Sequence, residues 1–502
     1  MNNSVNTPSP ELKKEPLPEV KHRDYIFLGI FLVLSILLSV FTGGAGLKAG
    51  FAISAAALLS CALVYLRDRL KFDTLSWLSL VASFIIIASF FVHDTTAFSF
   101  YKSVFLLISI SVFFISACGF NKSRLDRFGI VFSPLFLIFN VSIPNAPKTA
   151  RAAINKKSGI GAKFSQVFIA LICVVPLAAV LIFLLMSADA AFENFIDSLD
   201  LGNGEFITDS FWGLVYFIII FPLVFAISKK LYKDEEKKET AEYTLDGIFV
   251  NTILFVITVI YLTFIVTQLS YFFNGFAGLL PRNFTYAQYA RRGFFEMCVI
   301  CIINLIILAV AHSIVKRDET KLPFGTRILS VFISGFSLLL IVTALAKMFM
   351  YIKSYGLSFL RLGTSIFMVF LFVVFIAMII KVFKESFLHI RVMIGAACII
   401  MAITAIIEPH AVISAYNTYA YESGMHQNID IYYLHYDCGD YATASLIKLA
   451  ESENALIANE AKNFLSQRHS ENYGDTRYKD TLGGFTVSEW LAENQLNDYF
   501  TK

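Results

Sequence analysis

Residues 25–42 read YIFLGIFLVLSILLSVFT, eighteen positions without a charged side chain. At 1.5 Å rise per residue such a run covers about 27 Å, close to the roughly 30 Å of a bilayer's hydrocarbon core. No water is present at that depth to satisfy N–H and C=O groups, so the backbone must pair within the segment as a helix. Ten further stretches have the same character: Gly50 to Leu66, Thr74 to Val92, Phe100 to Cys118, Phe164 to Met186, Phe211 to Ser228, Gly247 to Phe273, Phe294 to Val315, Ile328 to Met350, Thr364 to Phe383 and Val392 to Ile407. The chain therefore reads as all-α, a polytopic transmembrane bundle of about 11 helices over residues 25–407. A polar segment, 1–24, precedes it and is read as disordered, and an extramembrane helical domain, 408–502, follows.

Composition agrees: 57% of residues are hydrophobic, 51 are Phe, and only 16% are charged, against about 25% in soluble chains. The formal net charge of +3 conceals an uneven distribution. Lys13, Lys14, Lys21 and Arg23 precede the first span, which lacks an A-x-A cleavage site and is longer than a typical signal-peptide apolar region, so it reads as a retained helix. With that end cytoplasmic, inner loops carry 27 Lys and Arg and outer loops 8, the positive-inside pattern. The expected location is a cell membrane, with the N-terminus inside and 408–502 outside.

Ile130 to Ile143 interrupts the alternation. It is short, contains Pro134 and has basic sequence on both sides, which suits a re-entrant or interfacial segment; a true span would invert everything downstream. In the tail, Tyr441 to Gln467 reads as one helix with Leu446, Leu449, Leu456, Phe464 and Leu465 on its apolar face.

Catalytic and cofactor signatures are missing from the sequence: no G-x-G-x-x-G, P-loop, H-E-x-x-H or G-x-S-x-G context occurs. Cys298 and Cys301 form a C-x-x-C on a helix, read as small polarizable packing rather than a redox or metal pair. His426, His435 and Cys438 with Asp437 and Asp440 match no structural zinc spacing. The expectation is no metal and no cofactor. The basic loops are short and membrane-facing, which excludes a nucleic-acid partner and leaves the bilayer, with a small-molecule or lipid ligand of open identity.

The informative polar residues cluster where spans meet the outer surface. Glu296 enters the eighth span, where the positive end of the helix dipole favours a carboxylate, after Tyr286, Tyr289, Arg291 and Arg292. Lys347, Tyr351 and Tyr355 fall at i, i+4 and i+8 and so share one face. Gly356 permits a turn before Arg361 opens the tenth span. An ionisable group at this depth calls for a partner, so Glu296 is expected to pair with Lys347 or Arg361 in an exofacial polar site. Headgroup anchoring by Tyr, Lys and Arg is the competing reading.

YAQYARRGFFE (286–296), YGLSFLR (355–361) and EPHAVISAYNTYAY (408–421), in this order, resemble the hallmarks of a bacterial multi-pass membrane family classed as a domain of unknown function. In that family the third motif more usually begins Asn-Pro and has Arg before its Tyr-Asn. Here Pro409 is kept, but Glu408 stands for the Asn and Ala415 for the Arg. The resemblance implies an integral membrane location and no established reaction.

Three functional classes remain. A permease of a small solute is suggested by Pro176 and Pro222 in the fifth and sixth spans, the acidic loop between them, and Asn304 and Gln268 near the midplane. A membrane-surface enzyme acting on lipid-linked substrates would use Glu296 as acid or base. A sensor or assembly factor would use the outer tail.

Overall fold

The computed structural model describes residues 18–43, 47–93, 96–120, 128–154, 205–232, 245–276, 294–316, 322–472 and 484–501. The spans read at Phe164 to Met186 and the stretch 277–293 lie outside them. The described residues are helical, with no β-strand and one isolated bridge, Leu245 to Val315. Among the described residues ten helices are long and apolar enough to cross a membrane. Nine coincide with expected spans; the second, Ala49–Tyr65, is shorter. The tenth is Ile130–Ala152, which extends the stretch read as ending at Ile143.

The chain divides into two units, 1–44 with 54–70 and 134–233, and 45–53 with 71–133 and 234–502. In the first, α1 (His22–Gly43) packs against α6 (Glu205–Lys229). Their antiparallel register is fixed at both ends. Lys229 Nζ lies 2.8 Å from Asp24 Oδ2, and a Cβ on Gly213 would come within 2.7 Å of the Ile36 backbone, so only glycine lets the two helices approach this closely. Asp24 also accepts from Tyr65 Oη (2.9 Å) of α2 (Ala49–Tyr65) and from Lys21 N (2.8 Å). A helical run over 128–154, α5, passes from a 3-10 turn through a π segment, Leu137–Ser142, into an α-helix, Ile143–Ile154. Ser142 Oγ donates to the Ile219 carbonyl, halfway along α6.

In the second unit, α3 (Thr74–Val92) begins with a capping box: Asp73 Oδ1 accepts from Ser76 N (2.8 Å), and Ser76 Oγ accepts from Asp73 N (2.7 Å). Ser83 and Ser109 tie α3 to α4 (Thr96–Ala117) at 2.9 Å. Small hydroxyl residues suit this role, because apolar helices gain nothing from leaving lipid and associate through close packing and hydrogen bonds. Next come α7 (Gly247–Phe276), α8 (Phe294–Ile314), α9 (Phe324–Tyr355), α10 (Phe359–Phe383) and α11 (His389–Ile407). The helix α9 packs against α7, α8 and α10, and α11 against α3 and α10. At mid-length Asn304 of α8 is buried with both ends of its amide engaged: Oδ1 accepts from Tyr261 Oη at 2.5 Å, and Nδ2 donates to Ser337 Oγ at 2.9 Å.

The C-terminal helices are α12 (Pro409–Glu422), α13 (Ile431–Tyr436), α14 (Thr443–Ala450), α15 (Ala455–Asn472) and α16 (Val487–Thr501). The single helix expected over Tyr441 to Gln467 is two: the chain breaks at 451–454, and Asn454 Oδ1 accepts from Leu456 N to start α15. The break changes the helical phase. Leu446, Leu449 and Leu465 enter the core with Ile431, Leu434 and Leu496, whereas Leu456 is 82% exposed, contrary to its expected place on the apolar face. Lys48 pairs with Glu489 at 2.9 Å, and Ala49 N donates to Phe485 O, so α16 is held at the start of α2.

Candidate functional site

The ends of α3, α9 and α11 and the starts of α4 and α10 meet the C-terminal helices at one end of the second unit. Gly356 makes the turn between α9 and α10 at φ +75°. The next residue is clamped by α12: Asn417 Oδ1 accepts from Leu357 N (2.7 Å), and Asn417 Nδ2 donates to Leu357 O (2.9 Å). This amide replaces a strand-like partner for a backbone unit that has no helical one. Phe359 N donates to Tyr433 Oη (3.0 Å), and the Phe359 ring stacks on His410 at 5.1 Å and 11°. The motifs at 355–361 and 408–421, about fifty residues apart, thus form one joint.

Of the residues singled out in the sequence, Tyr286, Tyr289, Arg291 and Arg292 lie outside the described residues. The other five are distributed between two settings. Glu296, exposed in the first turn of α8, is near enough for its carboxylate to act on the Lys347 ammonium. Arg361 is committed elsewhere: its guanidinium lies 4.2 Å from the Tyr351 ring centroid, and Nη1 donates to the carbonyls of Tyr355 (2.9 Å) and Gly356 (2.5 Å). It therefore caps α9, whose last carbonyls lack helical partners. Tyr351 and Tyr355 contact each other edge to face at 5.3 Å.

A second set of ionisable residues gathers beside the joint, and sequence reasoning passed over it. His93 closes α3 with its ring between two partners, Tyr441 Oη at 2.8 Å from Nδ1 and Ile406 O at 2.9 Å from Nε2. A carbonyl only accepts, so Nε2 carries the proton and Nδ1 accepts from Tyr441. Glu408 and Lys102 both act on His93 electrostatically. Lys102 is fully buried, its ammonium 4.6 Å from the Phe90 ring centroid and 5.8 Å from Phe98, a geometry that offsets part of its desolvation. Glu408, also fully buried, accepts from His410 Nδ1 at 3.0 Å. Its backbone sits at φ +53°, a region Asn tolerates better than Glu, which fits the Asn usual at this position in the resembling family. Burial pulls the His93 imidazole below its ordinary value, the nearby Glu408 opposing and Lys102 reinforcing. One sequence signal was available: Lys102 is a lone cation in the second turn of an apolar helix.

The remaining candidates separate. Cys298 Sγ faces Met368 Sδ (3.9 Å) and Cys301 Sγ faces Ser337 O (3.8 Å), so the two thiols engage different helices. In the tail, His435 Nδ1 accepts from Arg468 Nε (2.9 Å), and Cys438 is buried in the core, where desolvation pushes its thiol up to about 12. Among the described residues no three His, Cys, Asp or Glu converge as metal ligands.

No curated protein and no solved structure matches the chain. Residues 54–449 match a family described as Domain of unknown function (DUF4153), so the span from α2 through α14 carries the family pattern. That span contains the apolar helices from α3 to α11 and both halves of the joint, and the chain belongs to the DUF4153 family of multi-pass membrane proteins.

Proposed function

We propose that this protein is a cell-membrane sensor or assembly factor whose C-terminal helices are the interaction module, coupled to the membrane helices through the joint at Leu357 and Asn417. The observation that carries this reading is the paired hydrogen bonding of Asn417 to both polar groups of Leu357. A tail tethered only by a linker would need no such lock. In this reading the N-terminus is cytoplasmic and the tail outside. The pairing of Asp24 with Lys229 supports the charge argument, because it brings the basic end of α6, Lys229 and Lys230, to the end of α1 that carries Lys21 and Arg23. With those two ends on one side, α5 cannot add a crossing to the eleven expected unless another stretch returns.

The test is limited proteolysis of the full-length protein in membranes, comparing wild type with Asn417→Ala. Coupling requires new cleavage both in the tail and at 356–360. Cleavage confined to the tail overturns the reading. Orientation is checked separately by a cysteine at Trp490, expected to react with an impermeant maleimide in intact cells while one at Lys230 does not.

Glu296 and Lys347 support a second, narrower reading, a polar site for a lipid headgroup or small solute at the same membrane depth, completed by Tyr351, Tyr355 and Arg361 and, from the sequence, Tyr286, Tyr289, Arg291 and Arg292. Exchanging the charges, Glu296→Lys with Lys347→Glu, should restore what either single change removes. Single changes without effect on folding or phenotype sink it. The engaged amide of Asn304 gives no support to a midplane solute site.

A further inference from the structure

We propose that the converging ends of α1, α2 and α6 form a binding site for the phosphate of an anionic phospholipid headgroup, recognised by Arg69, Arg23 and Lys230. The site lies within the first unit and stands apart from the coupling of the tail.

Hydrogen bonds join the three helix ends in every pairing. Asp24, in the first turn of α1, accepts from Tyr65 Oη of α2 and from Lys229 Nζ of α6, so the buried carboxylate and that lysine neutralise each other. Arg23 Nη2 donates to the Tyr65 carbonyl at 2.6 Å, and Arg69 Nε donates to the Ser228 carbonyl at 3.0 Å. Both carbonyls belong to last helical turns, where the negative end of the dipole favours a cation. Each guanidinium is thereby braced against a helix end by one of its edges. The two Nη groups of Arg69 make no hydrogen bond among the described residues, and such a planar pair of donors fits two phosphate oxygens at once.

Lys230 places a further charge here in spite of local strain. It follows α6 at φ +54°, with Leu231 N donating to Ala226 O at 2.9 Å, a C-terminal motif whose left-handed position usually belongs to glycine. An exposed lysine occupying it is an outlier that points to use of the charge. Lys21 and Arg67 are exposed as well, so five cations stand against two exposed carboxylates, Glu19 and Asp68, the latter 3.5 Å from Arg23 Nη1. That imbalance calls for an anion. A lipid suits it better than a soluble phosphate, because Ile26 in the second turn of α1 and Val64 beside Tyr65 are 50% and 61% exposed and offer acyl chains an apolar surface next to the cations. Basic pockets between the ends of membrane helices are a recurring setting for acidic headgroups.

The test is native mass spectrometry of the full-length protein titrated in detergent with phosphatidylglycerol, phosphatidylcholine or inorganic phosphate. Wild type should bind phosphatidylglycerol in preference to phosphatidylcholine, and excess inorganic phosphate should not displace it. Lys230→Gly should weaken phosphatidylglycerol binding about fivefold while raising thermal stability, since glycine relieves the left-handed position; a lysine with only a structural role would not move the two readouts in opposite senses. Arg69→Lys keeps the charge but loses the fork and should also weaken binding. Lys316→Gln, which removes an exposed cation after α8 in the second unit, should leave it unchanged. If Arg69→Lys misfolds, Lys230→Gly still decides, because its expected gain in stability excludes misfolding. Equal binding of the two lipids overturns the proposal, and displacement by inorganic phosphate overturns it in favour of a soluble anion. Wild-type binding by Lys230→Gly or Arg69→Lys, or an equal loss in Lys316→Gln, overturns it too, since bulk charge rather than this site would then hold the lipid.

Discussion

Two buried polar clusters in the same unit behave oppositely. At mid-length, Tyr261, Asn304 and Ser337 tie α7, α8 and α9 together with neutral groups, and both ends of the central amide are engaged. At the end that meets the tail, Lys102, Glu408 and His410 are buried ionisable groups, with His93 half-buried beside them. Neutral hydrogen bonds are cheap to desolvate and can be closed completely, which suits a weld between helices. Buried charges are expensive and are retained where their ionisation is used. The contrast separates what holds this bundle together from what could let it respond.

The sharpest way to break the comparison is at the lock itself. Asn417→Ala leaves the N–H and C=O of Leu357 without their partner, and each stranded backbone group costs about 1–3 kcal/mol. The expected loss is about 3 kcal/mol, read by denaturation in mixed micelles and accompanied by exposure of the tail. A loss no larger than that of a surface substitution would mean that the joint is incidental.

Gly356→Ala comes next. The turn needs φ +75°, and an added Cβ would lie 2.8 Å from Asn417 Oδ1. With ψ at 177° the turn lies in an extended positive-φ region that is essentially reserved for glycine and costs a residue with a side chain about 1–3 kcal/mol, so about 2 kcal/mol is expected in the same assay. Because the substitution also displaces Asn417, combining it with Asn417→Ala should cost less than the sum of the two.

The bundle itself was legible in the sequence, since apolar length against membrane thickness is a one-dimensional property, and Gly356 could be recognised as a turn for the same local reason. Less local features escaped. The phase change at 451–454 hides in a polar tetrapeptide, and it moved Leu456 from the expected core to solvent. Arg361 looked available to Glu296, but the end of α9 offers carbonyls closer by. His93, Lys102 and Glu408 come from three separate segments and no periodicity joins them; only the packing of α3, α4 and α11 does.

Asn304→Ala tests the neutral cluster. It removes the bonds to Tyr261 and Ser337, and interhelical hydrogen bonds in membranes average only about 0.6 kcal/mol with a maximum near 1.7. A loss of about 1–2 kcal/mol is expected, with no change in the protection of the tail. A loss of tail protection would join the two clusters and erase the distinction drawn between them.

The smallest expected effect is the most discriminating for the weld. In a double-mutant cycle of Tyr261→Phe and Ser337→Ala, the two side chains touch Asn304 at opposite ends of one amide. A polarised chain of hydrogen bonds should make each bond strengthen the other, giving a coupling of about 0.5 kcal/mol, detectable in the same micelle assay. Tyr261 also stacks on Phe336 at 4.1 Å and 15°, a contact that Phe retains, so the cycle isolates the hydroxyl. Strict additivity would show that Asn304 serves two independent bonds, and that α7 and α9 are each fastened to α8 without sensing the other.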